Sequence, residues 1–147
     1  MINDISGAIK TLGATATGIK SAYDPAPNDL NSASLPALWT FTGPASEEES
    51  EFEDYVRIDR TMRVQVAVIP TAQGAPATRE KKCRPILDAV SAKLRSSPHL
   101  GVNWVENTRV VADSGIVILP EYGGKYIGFE IQYLVTYYQK VSYGANE

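Results

Sequence analysis

The sequence predicts an α+β domain: a mixed, mostly antiparallel sheet of four to five strands flanked by helices. Three observations predict it. Two long stretches, Arg57 to Ile69 and Tyr126 to Tyr138, alternate apolar and polar residues with the period of two expected of strands. Between them Cys83, Ile86, Leu87, Val90 and Leu94 recur at the spacing of a helix with one apolar stripe. At 147 residues, with 44% hydrophobic and 21% charged composition, the chain can bury one core without metals or disulfides. Residues 1–147 read as a single domain.

Asn3 or Asp4 is placed to cap a first helix, with Ile5, Ile9, Leu12, Ala16 and Ile19 on one face. Gly7, Gly13, Gly18 and several threonines weaken that helix, so it needs a surface to lean on, its own sheet or a neighbouring subunit. Asp24 to Pro36 is rich in Pro, Asn, Ser and Ala and reads as an extended linker or arm, so residues 1–36 are expected to form a helix plus extended arm. A first strand is predicted over Ala37 to Thr42, ended by Gly43 and Pro44.

Ser46 to Asp54 reads as a loop dominated by Glu47, Glu48, Glu49, Glu51, Glu53 and Asp54. The second strand follows from about Tyr55 to Ile69, making a hairpin with a long charged tip. After a loop over Pro70 to Pro76, a helix runs to about Ser96. Pro85 inside it predicts either a kink or a true helix start close to Arg84. Further strands are expected over Asn103 to Ala112, Ile116 to Leu119 and Tyr126 to Tyr138. Pro120 to Gly124 forms the turn into the last one, and residues 142–147 read as a loose tail. The expected core is Met62, Val64, Val66, Ile86, Leu87, Val90, Leu94, Phe129 and Ile131.

Composition narrows the function. A formal net charge of -3 and a pI near 5.2 argue against a nucleic-acid binder. The single cysteine, Cys83, forbids an internal disulfide and fits a reducing compartment. No apolar run reaches membrane-spanning length, and no secretory signal is evident, so a cytoplasmic site of synthesis and folding is expected.

Little catalytic chemistry is written on the chain. His99, the sole histidine, lies in a Ser-Pro-His-Leu-Gly loop with no partner signature for a general base. Cys83 has basic neighbours, which lower a thiol pKa, yet its place on the apolar stripe favours an inert buried thiol. Zinc lacks ligands, and the acidic run lacks the alternating pattern and central glycine of a calcium loop. Gly123-Gly124 joins two strands and is read as a hairpin turn, not a phosphate loop. Arg79 to Arg84 is basic but has no interleaved aromatics, so a solvated helix face is favoured. No enzyme activity, cofactor or metal is expected.

Several segments taken together carry a likeness. Leu35-Pro36-Ala37-Leu38 leads to Gly43-Pro44, and an acid-tipped hairpin returns through Arg60-Thr61-Met62-Arg63-Val64. Arg84-Pro85-Ile86-Leu87-Asp88 follows on a helix, then Asp113-Ser114-Gly115-Ile116, and finally Tyr126-Ile127-Gly128-Phe129-Glu130-Ile131. In this order the chain, from Leu35 to Thr136, resembles the small tail-terminator and head-to-tail joining proteins of long-tailed bacteriophages.

The resemblance implies a structural virion protein, assembled in the host cytoplasm. It would form a homo-oligomeric ring, typically of six copies, between the tail tube protein and the head-completion or connector protein. Genomic DNA would pass through without specific binding. On that expectation Glu47, Glu48, Glu49, Glu51, Glu53 and Asp54 face the channel or an adjoining ring. Arg79, Lys81 and Lys82, with Ile5, Ile9 and Leu12, are candidates for contact between copies. The alternatives are another neck or tail-completion protein of the same particle, and a small cytoplasmic enzyme or ligand-binding domain whose site is invisible in sequence.

Overall fold

Apolar alternation of this length demands a sheet with one face in a core, and the chain builds it around a single central strand. A computed structural model describes residues 1–50 and 54–141. The element order is α1 (Ile2–Gly13), β1 (Ser21–Ala22), β2 (Ala37–Glu49), β3 (Tyr55–Pro70), α2 (Pro76–Arg95), β4 (Val105–Asp113), β5 (Val117–Leu119) and β6 (Tyr126–Lys140). Among the described residues the sheet has six strands rather than four or five: β5 falls within the expected Ile116 to Leu119, and the added one is β1, whose two residues are too few to announce themselves by periodicity. Their order is β1-β2-β3-β6-β4, with β5 beside the start of β6. Only β1 and β2 run parallel.

The helices cover one face of the sheet. Ile5 and Ile9 of α1 and Cys83, Val90 and Leu94 of α2 are fully buried against Met62, Val64, Val66, Phe129, Ile131 and Tyr133. Seven of the nine expected core residues are fully buried; Ile86 and Leu87 are half-buried and pack against the same cluster. The weak first helix therefore leans on its own sheet. It begins directly after Met1, with no side-chain cap, so Asn3 and Asp4 lie inside it. It stops at Gly13, where a Cβ would meet Leu38 Cδ1 at 2.7 Å, leaving Ala16 and Ile19 beyond its end.

The opposite face is half covered by the arm. Tyr23, Ala26, Leu30 and Leu35 pack onto a second cluster of Ala37, Trp39, Ala67, Leu119 and Tyr126. The hydroxyls of Tyr122 and Tyr126 donate to the carbonyls of Pro27 and Leu30, fastening the arm. What reads as a linker is thus a packed layer, held by aromatic residues remote in sequence.

Two breaker signals mislead. Gly43 and Pro44 do not end β2; they form a bulge where pairing shifts from Thr42–Met62 to Ala45–Arg60. A Cβ on Gly43 would meet the Thr61 carbonyl at 2.4 Å, so close approach requires glycine. Pro44 is tolerated because β1 flanks only Ala37 and Leu38, so no strand seeks its missing N–H. Likewise α2 runs unbroken through Pro85, without a restart near Arg84. Pro85 is exposed, and Cys83, Val90, Ser91 and Leu94 anchor the helix on either side of it.

Candidate assembly surfaces

The first surface is the tip end of the β2–β3 hairpin. Ser46 to Glu49 are strand rather than loop, paired with Asp59 to Val56. Strand alternation then splits the acids: Glu48 shares a face with its partner Arg57, while Glu47 and Glu49 stand on the other face beside Ile58 and Val56. All three glutamates are exposed. Asp54 turns the chain at φ 69°, and its carbonyl accepts the Val141 N–H at 2.7 Å. Glu51, Glu53 and the tail 142–147 lie outside the described residues.

Arg57 sits among three carboxylates, Glu48, Asp59 and Glu106, each 3.8 Å away. Partly exposed pairs at that length contribute little individually. One guanidinium shared by three carboxylates also leaves a negative surplus on this end of the sheet.

The second surface is the pair of sheet edges. Among the described residues, β4 pairs with β6 only, and β2 beyond Leu38 pairs with β3 only. Val111 on β4 and Ile118 on β5 are about half exposed, at 50% and 48%. Since β2, β3, β6 and β4 are successively antiparallel, the two open edges run in opposite directions.

The third is the basic start of α2. Lys81 and Lys82 are exposed, Arg84 pairs with Glu80 at 2.9 Å, and half-buried Arg79 reaches the Gly74 carbonyl at 3.5 Å. No acid occupies the first turn. β3 separates this basic patch from the acidic tip by its 16 residues, roughly 50 Å at strand rise. The two patches therefore stand at opposite ends of one subunit. Ile5 and Ile9 are consumed by the chain's own core, and only half-buried Leu12 of that trio retains exposed surface.

Groups with chemical potential are quiet. Burial pushes the Cys83 thiol up to about 11, outweighing the nearby Arg79 charge, so it stays protonated and inert at neutral pH. His99 Nδ1 lies 3.0 Å from the Val105 carbonyl, a contact that requires the proton on Nδ1. Among the described residues no three His, Cys, Asp or Glu side chains gather as a metal site. No described helix is long and apolar enough to cross a membrane. Gly123 and Gly124 turn the chain at φ 70° and 71° within the Glu121–Gly124 turn that leads into β6.

Sequence reasoning missed one feature. A cavity of about 550 Å³ opens at the tip end, lined by Tyr55, His99, Asn103, Trp104, Val105, Glu106 and Tyr138. Its aromatics come from three separate segments, and the only hint was that Tyr55 and Tyr138 stand at positions of the strands not assigned to the core. No family model matches the chain, and no curated protein matches it.

Proposed function

We propose that the chain is a structural subunit of a ring that closes the tail tube of a long-tailed bacteriophage and joins it to the head connector. The observation that carries this reading is the pair of open sheet edges of opposite direction. Related by rotation, β4 of one copy meets β2 of the next in antiparallel sense, and the sheet continues from subunit to subunit. Unpaired edges otherwise invite aggregation, and a closed ring removes them. The likeness of Leu35 to Thr136 to the tail-terminator proteins supplies the identity of the ring. A net-acidic chain suits a channel through which DNA slides, since cationic contacts would release counterions and hold the duplex.

The test is solution mass across a concentration series, with negative-stain images, alone and with tail tubes. Closed rings that cap tail tubes support the proposal. Rings that bind only the connector assign the chain to another place in the neck. A monomer that stays monomeric on tail tubes overturns it and favours a ligand-binding domain using the tip-end cavity.

A further inference from the structure

We propose that the middle of the arm, Pro25 to Ser32, is a strap that opens on a fixed neck while the rest of the fold stays intact, and so uncovers the aromatic group of Trp39, Tyr122 and Tyr126 beneath it. The inference does not depend on the ring reading, because every contact it uses lies within one subunit. The neck is pinned on both sides. The N–H groups of Lys20 and Ser21 donate to the Pro36 carbonyl at 2.8 and 3.2 Å, and the Tyr23 N–H donates to the Leu38 carbonyl at 2.8 Å. The Ser6 hydroxyl holds Asp24 at 2.9 Å, and the Lys20 ammonium holds the Ala33 carbonyl. Entry and exit of the strap therefore stand side by side, and it can swing without moving either end.

Beyond the neck the strap is held lightly. Among the described residues no backbone N–H from Pro25 to Ser32 donates a hydrogen bond to the protein, and Pro25 and Pro27 have none to give. Ala26, Pro27 and Leu30 are half-buried and the rest of the strap is exposed, whereas Ala37 to Thr40, at the start of β2, are all buried. Clefts flank the strap on both sides. One of about 310 Å³ lies between Asn28, Asp29 and Leu30 and the Tyr122–Tyr126 segment, and one of about 390 Å³ lies between Ser32 and Thr71. Few buried contacts and a backbone bonded to water mark a segment that opens locally at low cost in free energy.

Two hydroxyls keep it closed. Tyr122 donates to the Pro27 carbonyl and Tyr126 to the Leu30 carbonyl, both in the middle of the strap. Burial, and then the Glu121 and Asp29 carboxylates, push the Tyr122 hydroxyl up, so it keeps its proton and remains a donor at neutral pH. The same ring stands edge-on to Trp39 at 5.5 Å and to Tyr126 at 6.2 Å between centroids. The fasteners thus belong to the group that the strap covers. The Trp39 indole N–H, bonded to Gln65 at 2.9 Å and fully buried, is the natural reporter of opening.

The experiment follows hydrogen–deuterium exchange at Trp39 Nε1 in the full chain, labelled with nitrogen-15, over urea concentrations below the unfolding transition. The backbone amides of Val64 and Ile131, fully buried residues of β3 and β6, report global unfolding. The indole is expected to be less protected than these amides, and its exchange to rise far less steeply with urea, because strap opening exposes little surface. Tyr122→Phe combined with Tyr126→Phe removes both fasteners and keeps both rings. It should speed exchange at Trp39 about 10- to 30-fold while the urea slope stays shallow. An indole that matches the Val64 and Ile131 amides in protection and slope, or that exchanges at the parent rate in the double variant, overturns the proposal and makes the arm a fixed layer of the fold.

Discussion

The indole Nε1 of Trp39 donates to the side-chain carbonyl of Gln65 across 2.9 Å, in a pair of residues 0% and 1% exposed. The other end of Gln65 donates to Glu130 at 2.8 Å and to Glu121 at 3.1 Å, and Arg63 closes the set on Glu130 at 2.8 Å. One amide thus satisfies a buried indole and two carboxylates on the arm-covered face. Gln65→Leu should cost about 2–3 kcal/mol in urea unfolding, because it strands the buried indole donor. A loss under about 0.5 kcal/mol would mean that the network is incidental.

At Gly128 the backbones of β6 and β3 leave no room for a side chain: a Cβ there would meet the Val66 carbonyl oxygen at 1.7 Å. Gly128→Ala should therefore destabilise by more than about 4 kcal/mol, in the exceptional range for one substitution. Gly123→Ala, with nothing near its Cβ but a φ of 70°, should cost only about 1 kcal/mol. Thermal melts of the two variants give the comparison.

Stability should fall at alkaline pH through Cys83. Its thiol is raised from 9.0 to about 11 in the folded chain, so between these values the unfolded chain has lost a proton that the native chain keeps. The contribution is intact below pH 9 and declines as pH rises through the folded value, by about 2–3 kcal/mol at most. Cys83→Ala should flatten that part of the profile. At pH 8 a thiol reagent should modify the native chain far more slowly than the urea-unfolded one.

Charge reversal of Glu47, Glu48 and Glu49 to lysine should leave the isolated subunit within about 1 kcal/mol of the parent, since all three are exposed. On the proposed function, head–tail joining and infectivity should be lost. Intact infectivity would remove the acidic strand from any joining or channel role.

Val111→Lys combined with Ile118→Lys places two charges on the open β4–β5 edge. Lysine on an edge strand blocks addition of a further strand. Circular dichroism should be unchanged, while the large species that the ring proposal expects of the parent chain in the mass series should not form. Persistence of that species would locate the contact between copies elsewhere.

The legible parts of the fold were those governed by burial. Met62, Val64 and Val66 on β3 and Phe129 and Ile131 on β6 repeat every second residue because one face of the sheet is dry. The breakers were less legible because their meaning depends on what lies beside them. Pro44 sits where no described strand pairs with the outer side of β2, and Pro85 faces water, and neither circumstance is written locally. Glu47 to Glu49 read as a loop because a strand wet on both faces has no apolar signature. The tip-end cavity was hidden for a different reason: Tyr55, Trp104 and Tyr138 come to line it only through the β3–β6 register and the late start of β4.

β3 is hydrogen-bonded on both sides along nearly its whole length, to β2 from Val56 to Ala67 and to β6 from Tyr55 to Pro70. Those bonds lie across the strand direction. A pull between the hairpin tip and the α2 end therefore loads many bonds together in shear, instead of peeling them one by one. The subunit should be mechanically stiff along that axis and much weaker when β4 is pulled sideways from its single neighbour.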